Sequence, residues 1–193
     1  MIHTQELVFW LLLPTVLALI AYLLSSGSAP ARKLVVAAIT LYAVVVAGVV
    51  LSPLPIDAEM IAEARRVGAP FDLRHHNFVP FRTITAAIGN GYFPTIKWQL
   101  GGNIALFVPL GLLLPLLHPR FRSGRNTVVV GLAASLLVET IQLLGNLAFG
   151  FGWKAFDVDD LFLNTAGTMI GWLVWRGSDA VRSRGGVSAM ETG

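Results

Sequence analysis

The 193-residue chain contains no cysteine. That excludes a disulfide framework, thiolate chemistry and any Cys-ligated metal. Charge is scarce as well: Asp, Glu, Lys and Arg make up 13% of the chain, where a soluble domain carries about 25%. Nothing in the sequence reads as a phosphate-cradling glycine loop, a dinucleotide fingerprint or a Ser-His-Asp order. An internal repeat of the kind that builds secondary transporters is missing too. What the chain has is apolar length. Hydrophobic residues make up 55% of it and its mean hydropathy is +0.70, a composition that belongs to an integral membrane protein. The net charge of +3 and the pI near 9.7 therefore do not point to nucleic acid. Lys and Arg lie in loops and at ends, where they set topology and meet lipid headgroups. The lipid bilayer is the first partner the composition implies.

Five apolar runs follow one another. Leu7 to Leu24 resembles a signal-peptide core, but no Lys or Arg precedes it and it approaches the ~20 residues that span a bilayer, so it reads as a retained span. Leu34 to Leu51 follows Arg32–Lys33 and stops at Ser52-Pro53-Leu54-Pro55, where proline withholds the backbone donor a helix needs. The third run, Trp98 to Leu117, the fourth, Thr127 to Leu147, and the fifth, Val158 to Trp175, come after a long polar section from Ser52 to Lys97. Within that section Asp57 to Val67 reads as an amphipathic helix closed by Gly68, with Ile56, Met60, Ala64 and Val67 on its apolar side. The expected fold is an all-α integral membrane bundle of about five transmembrane helices, with this short interfacial helix in a long outer loop. Residues 1–33 form a first helix and basic loop, 34–176 the main membrane domain, and 177–193 a flexible polar tail.

With five spans, Arg32–Lys33, Arg120–Arg122–Arg125 and Arg176–Arg182–Arg184 share one side. The positive-inside rule makes that side cytoplasmic, the N-terminus external and the C-terminus cytoplasmic. Trp98 and Trp153 would then mark the outer interface, and Trp172 and Trp175 the inner one.

The polar residues inside the runs are patterned. Ser135, Glu139, Gln142 and Asn146 recur at spacings of four, three and four, and so do Asp160, Asn164, Gly167 and Gly171; each set falls on one helical face. With Asn103 at a similar depth, and with Asp157, Asp159 and the segment Asn77–Arg82 at the same face, these stripes converge on the outer side. Glu139 is the acidic residue in the interior of a span, and an ionisable group there costs several kcal/mol unless it is paired or functional. It could glue helices by accepting hydrogen bonds from Asn103, Asn164 or an Arg of the loop, or act as a general acid or base or as one metal ligand in an outward-open cavity. Three aspartates within four positions exceed what a helix cap needs. They call for a compensating cation: Lys154, Arg82, or a divalent ion such as magnesium or manganese held by Asp157, Asp159 and Asp160. Arg82 could instead hold a ligand's phosphate or carboxylate. His75–His76 is adjacent rather than three or four apart, which weakens a zinc reading, and both are expected in a water-exposed loop. Glycines 101, 102, 111, 167 and 171 are small residues that allow helices to approach.

Taken together, Asn77-Phe78-Val79-Pro80-Phe81, Gly102-Asn103-Ile104-Ala105-Leu106-Phe107-Val108-Pro109-Leu110-Gly111, Glu139-Thr140-Ile141-Gln142 and Asp157-Val158-Asp159-Asp160-Leu161 leading into Asn164-Thr165-Ala166-Gly167 resemble the VanZ-like membrane family. The resemblance covers the chain from the second span to Arg176. One departure is Lys154, where the family often has Arg; Lys keeps the charge and loses bidentate geometry. The resemblance implies a bacterial inner-membrane protein of the cell envelope, related to proteins that give low-level teicoplanin resistance.

Two functional classes follow. In the first, an outward-facing pocket lined by Asn77, Arg82, Asn103, Gln142, Lys154 and Asn164 binds an envelope component or a lipophilic glycopeptide. In the second, an intramembrane enzyme acts on a lipid-linked or peptidoglycan precursor, with Glu139 and Asp160 as catalytic groups and the aspartates holding a divalent metal. A transporter ranks behind both for want of a repeat.

Overall fold

A computed structural model describes residues 4–25, 27–55, 57–67 and 72–191. Its elements are helical throughout: α1 (Thr4–Ser25), α2 (Pro30–Leu51), α3 (Ala58–Val67), α4 (Arg82–Asn90), the single turn α5 (Phe93–Thr95), α6 (Gly102–Leu117), α7 (Gly124–Phe149) and α8 (Val158–Glu191). A wide-turned π stretch, Ile96–Gly101, leads into α6. Proline sits at the start of α2, where the missing N–H is no loss. Pro109 and Pro115 lie inside α6, an arrangement membrane helices tolerate because neighbours satisfy the freed carbonyls. Gly150, in the left-handed conformation at φ 74°, closes α7 and donates its N–H to the Asn146 carbonyl at 2.9 Å.

The described interior is the inverse of a soluble core. Of its largest fully buried side chains only Phe107 is apolar; the others are Glu139, Asn146, Thr127, Thr168, Asp159 and Ser135. Leu, Val and Ile are displayed outward along α2, α7 and α8, as a bilayer requires. Three stretches among the described residues are long and apolar enough to cross a membrane: Pro30–Leu51, Ile96–Leu117 and Gly124–Phe149. The sequence suggests about five. In α1 the described apolar piece is the shorter Leu13–Leu24, and α8 is diluted by Asn164, Thr165, Thr168 and its glycines.

The glycines of α8 set the packing. A Cβ built on Gly167 would stand 2.1 Å from the Ile104 carbonyl oxygen, and one on Gly171 would stand 2.0 Å from that of Val108. Across the same seam a Cβ built on Gly111 would stand 1.9 Å from the Thr168 carbonyl oxygen. These contacts advance together along both chains, so α6 and α8 run parallel at backbone contact. Helix α7 lies antiparallel to α8: Gly131 faces Thr168 and Ser135 faces Asn164. Gly102 has nothing within 4 Å, and Gly101 only the Ile96 carbonyl at 3.8 Å, so neither serves the helix contact expected of it.

Helix α2 leans on this trio. The Tyr42 hydroxyl donates to the Leu106 carbonyl at 3.0 Å, and the Gln142 amide reaches the Val50 carbonyl at 3.4 Å. Helix α1 packs on α2, where Lys33 Nζ donates to the Leu23 carbonyl at 2.6 Å. The register puts Lys33, Arg120–Arg125 and Arg176 at one end and the aspartates at the other. Helix α3 lies at the aspartate end, tied by Arg65 to the carbonyls of Phe149 (2.5 Å) and Ala148 (3.3 Å) at the close of α7. Met60 and Ala64 of its expected apolar side are half-buried, Val67 is exposed, and Ile56 and Gly68 lie outside the described residues.

Two expectations differ from the structure. Trp175 is buried rather than placed in an interfacial belt. Residues 177–191 follow a helical path as the continuation of α8, where a polar tail without regular structure is expected; Thr192 and Gly193 lie outside the described residues.

Candidate functional site

Helix α4 starts without a cap of its own. The residue before it, Phe81, has no capping oxygen and holds a left-handed backbone at φ 66°. The cap comes from α8: the Asp159 carboxylate accepts the N–H groups of Phe81 (2.5 Å), Thr83 (2.8 Å) and Ile84 (3.1 Å). Three of the donors that a helix start leaves open are thus satisfied by one buried anion. Asp157 caps α8 by accepting the Asp159 N–H at 2.9 Å. Its carboxylate also takes the Asn77 amide at 2.7 Å and the Thr83 hydroxyl at 2.6 Å. Asn77 is pinned again through its backbone, as a parallel bridge to Asp157: its N–H donates to the Phe156 carbonyl and its carbonyl accepts from Val158. Aromatic stacking seals the join, Phe78 on Phe156 and Phe81 on Phe162, both at 5.1 Å between ring centres.

Beneath this layer lies Glu139, only 1% exposed. Its Oε2 accepts the Asp157 N–H at 3.0 Å. Asp160 faces the other way and accepts the Asn103 amide. The Asn164 amide donates to the Ser135 hydroxyl at 2.9 Å; its carbonyl oxygen, although buried, has no hydrogen-bond partner among the described residues. Glu139, Asp160, Asn103, Asn164 and Ser135 thus form one intramembrane polar group, as the stripe spacing suggests. The bond expected between Asn103 and Glu139 goes to Asp160 instead.

The expected metal triad does not form. Among the described residues no group of three His, Cys, Asp or Glu gathers as a metal ion requires. The physical reason is that Asp157 and Asp159 turn toward donors from residues 77–84, while Asp160 turns toward α6. The compensation sought from a cation is supplied by N–H and O–H groups.

Gln142 and Lys154 stand apart from this group, on the α2 side. Asn146, fully buried, accepts the N–H groups of Trp153 and Lys154 and donates to the Lys154 carbonyl, which folds the loop back. Lys154 Nζ then donates to the Ser52 carbonyl at 2.7 Å. Burial pushes its ammonium below the usual lysine range.

Above the aspartates lies a cavity of about 300 Å³, lined by Arg74, His76, Asn77, Arg82, Thr83, Gln99 and the 155–157 segment. Arg82 is exposed and forms no ion pair with the aspartates among the described residues, whereas Arg66 pairs with Glu63 and Arg74 with Asp72 at this end. His76, expected in a water-exposed loop, is buried, and its Nδ1 accepts the Phe156 N–H at 2.7 Å. The side chain of His75 lies outside the described residues. His76 and Thr83 are the site residues that sequence reasoning overlooks. Their one signal is position: each lies within the Arg74–Ile84 segment, beside Asn77 or Arg82.

The family model described as VanZ/LLP1 matches residues 39–181. This range holds every element of the site and leaves out α1, the start of α2 and the end of α8. No curated protein and no solved structure gives a significant match.

Proposed function

The chain belongs to the VanZ/LLP1 family, and from that premise we propose that it is a bacterial inner-membrane protein of the cell envelope whose polar cavity faces outward and binds an envelope component or a lipophilic glycopeptide such as teicoplanin. The observation that carries this reading is the two-storey arrangement at the aspartate end of the bundle. An open cavity bearing Arg74 and Arg82 rests on the layer of Asn77, Asp157 and Asp159, and that layer rests on the buried Glu139. A carboxylate at that depth costs several kcal/mol if it stands alone. Its single backbone partner is a modest return for a purely structural role, whereas control of the cavity floor gives it a purpose. Support for an external face comes from Arg32–Lys33, Arg120, Arg122, Arg125 and Arg176 at the opposite end, set against Arg65, Arg66, Arg74, Arg82 and Lys97 in the long loop.

The test is a pair of near-isosteric substitutions, Glu139→Gln and Asp160→Asn. Each is expected to abolish an envelope or teicoplanin-resistance phenotype while membrane abundance stays at the wild-type level. A phenotype that falls only in step with abundance overturns the reading. Because the chain lacks cysteine, single cysteines introduced at Gly152 and Ser123 also report orientation: an impermeant thiol reagent should label the first in intact cells and not the second.

A second reading, an intramembrane hydrolase or transferase acting on a lipid-linked precursor, is favoured by the half-buried Asp160 carboxylate, whose one side-chain partner among the described residues is Asn103. Release of product from a purified precursor, lost in Asp160→Asn, separates it from binding alone.

A further inference from the structure

We infer that the cavity is a subsite for a lipid-borne phosphate, with Arg82 and Arg74 holding the phosphate and the tail leaving over Phe81 and Phe162 into the bilayer. This rests on the cavity being a binding site and names the chemistry of what it binds.

The hydrogen-bond balance of the cavity carries the first half. The acceptors of its floor are already engaged. The Asp157 carboxylate takes Asn77, Thr83 and the Asp159 N–H. The Asn77 side-chain oxygen takes the Val79 N–H at 3.0 Å, and His76 Nδ1 takes that of Phe156. Donors are what remains. Arg82 has no carboxylate partner among the described residues, and Arg74 meets Asp72 through Nε and one terminal nitrogen on a single carboxylate oxygen, which leaves its other terminal nitrogen to the cavity. The Gln99 amide lines the same space. A cavity whose unspent capacity is largely N–H, with the Arg82 guanidinium free of a carboxylate among the described residues, selects an anion. Arg74, Arg82 and Gln99 approach from three different segments. The tetrahedral oxygens of a phosphate can meet all three, whereas a planar carboxylate presents two oxygens in one plane.

The second half is the way out. Arg82 follows Phe81 in the chain, and Phe81 stacks on Phe162 with an interplanar angle of 11°. Both rings are about half exposed, at 55% and 44%. Met169 and Leu173, seven and eleven residues after Phe162, continue the same face of α8 and are exposed as well. An apolar track therefore runs from the cavity rim down the lipid-facing side of the bundle. A soluble phosphate has no use for it; an amphiphile does.

The experiment measures binding by calorimetry to the whole chain purified in a neutral sugar detergent, with three probes: n-dodecyl phosphate, inorganic phosphate and dodecanoate. Dodecyl phosphate is expected to bind tightest. Arg82→Gln should weaken it by roughly tenfold or more, the scale of a charge-assisted hydrogen bond, and Arg82→Lys should restore part of the loss. Unliganded melting temperatures of both variants should match wild type, because Arg82 is exposed. Inorganic phosphate binding as tightly as dodecyl phosphate would overturn the lipid assignment. Equal binding of dodecanoate would overturn the phosphate assignment, and binding indifferent to both Arg82→Gln and Arg74→Gln would overturn the site. Failure here with loss of phenotype in Glu139→Gln removes only this inference. Arg-dependent binding with a phenotype that tracks abundance removes only the broader reading.

Discussion

Asp159 on α8 holds Phe81 in a backbone conformation that phenylalanine ordinarily avoids. Its Oδ1 accepts the Phe81 N–H at 2.5 Å, and Phe81 sits at φ 66°, a region that costs a bulky residue of order 1–3 kcal/mol. The remaining oxygen takes Thr83 and Ile84, so a single carboxylate both forces the turn and starts the helix after it. Asp159→Ala leaves three part-buried donors open and should destabilise the protein by about 1–3 kcal/mol. Thermal unfolding in detergent, with protease cleavage between Phe78 and Ile84 as a local probe, checks this. Asp159→Asn keeps one acceptor oxygen and should fall in between.

The α6–α8 seam gives a contrast within one residue type. Gly167→Ala drives a methyl group into the Ile104 carbonyl and should cost about 1–3 kcal/mol. Gly102→Ala meets nothing and should be neutral or stabilising by up to about 1 kcal/mol, the helix-propensity difference. Melting temperatures of the two variants, measured side by side, decide it.

Magnesium or manganese should leave the melting temperature unchanged in wild type and in Asp160→Asn alike, because Asp157 and Asp159 already spend their oxygens on protein donors. A cation-dependent rise that Asp160→Asn removes would mean that this donor set rearranges around the ion, and would shift weight to the enzymatic reading.

Lys154 supplies a pH signature. Burial lowers its folded-state pKa from 10.5, so between the lowered value and 10.5 the unfolded chain binds more protons than the folded one. Stability then rises with pH across that window. The penalty for burying the charged form is present below the folded pKa and fades above it. Lys154→Met lacks this titration, so the melting temperature of wild type should gain on that of the variant as pH climbs toward 10.5. A difference that stays flat with pH would show the ammonium to be as well solvated in the folded state as in the unfolded one.

Much of this was legible in the sequence because helices and bilayers impose simple periods. The stripe Ser135–Glu139–Gln142–Asn146 faces the interior at its first two and last positions, and the apolar runs end where Pro53 and Pro119 say they should. What the spacing could not show is which partner each polar group takes. Asp157, Asp159 and Asp160 look alike in the chain, yet α8 turns them in three directions, toward Asn77, toward the start of α4 and toward Asn103. Periodicity describes one helix at a time. The donors that answer these carboxylates come from residues about 75–80 positions away, or from another helix, and no local pattern encodes that pairing. The same holds for His76, whose burial depends on Phe156 reaching it from 80 residues further on.

That sequence separation has a consequence for how the protein is made. The N–H groups at the start of α4 are synthesised 75 residues ahead of the carboxylate that receives them. At ~5–20 residues per second a ribosome needs ~4–15 s to cover the interval. Throughout it the 77–84 segment lacks its native cap, and until residues 148–149 are made α3 has no α7 terminus for Arg65 to grip. Helix α7 closes the second gap and α8 the first, so a nascent chain stopped before Asp159 presents an unfinished surface to the proteases and chaperones of the membrane. Completion of the site waits on α8, and a cell can read the finished site as proof that α8 has been made.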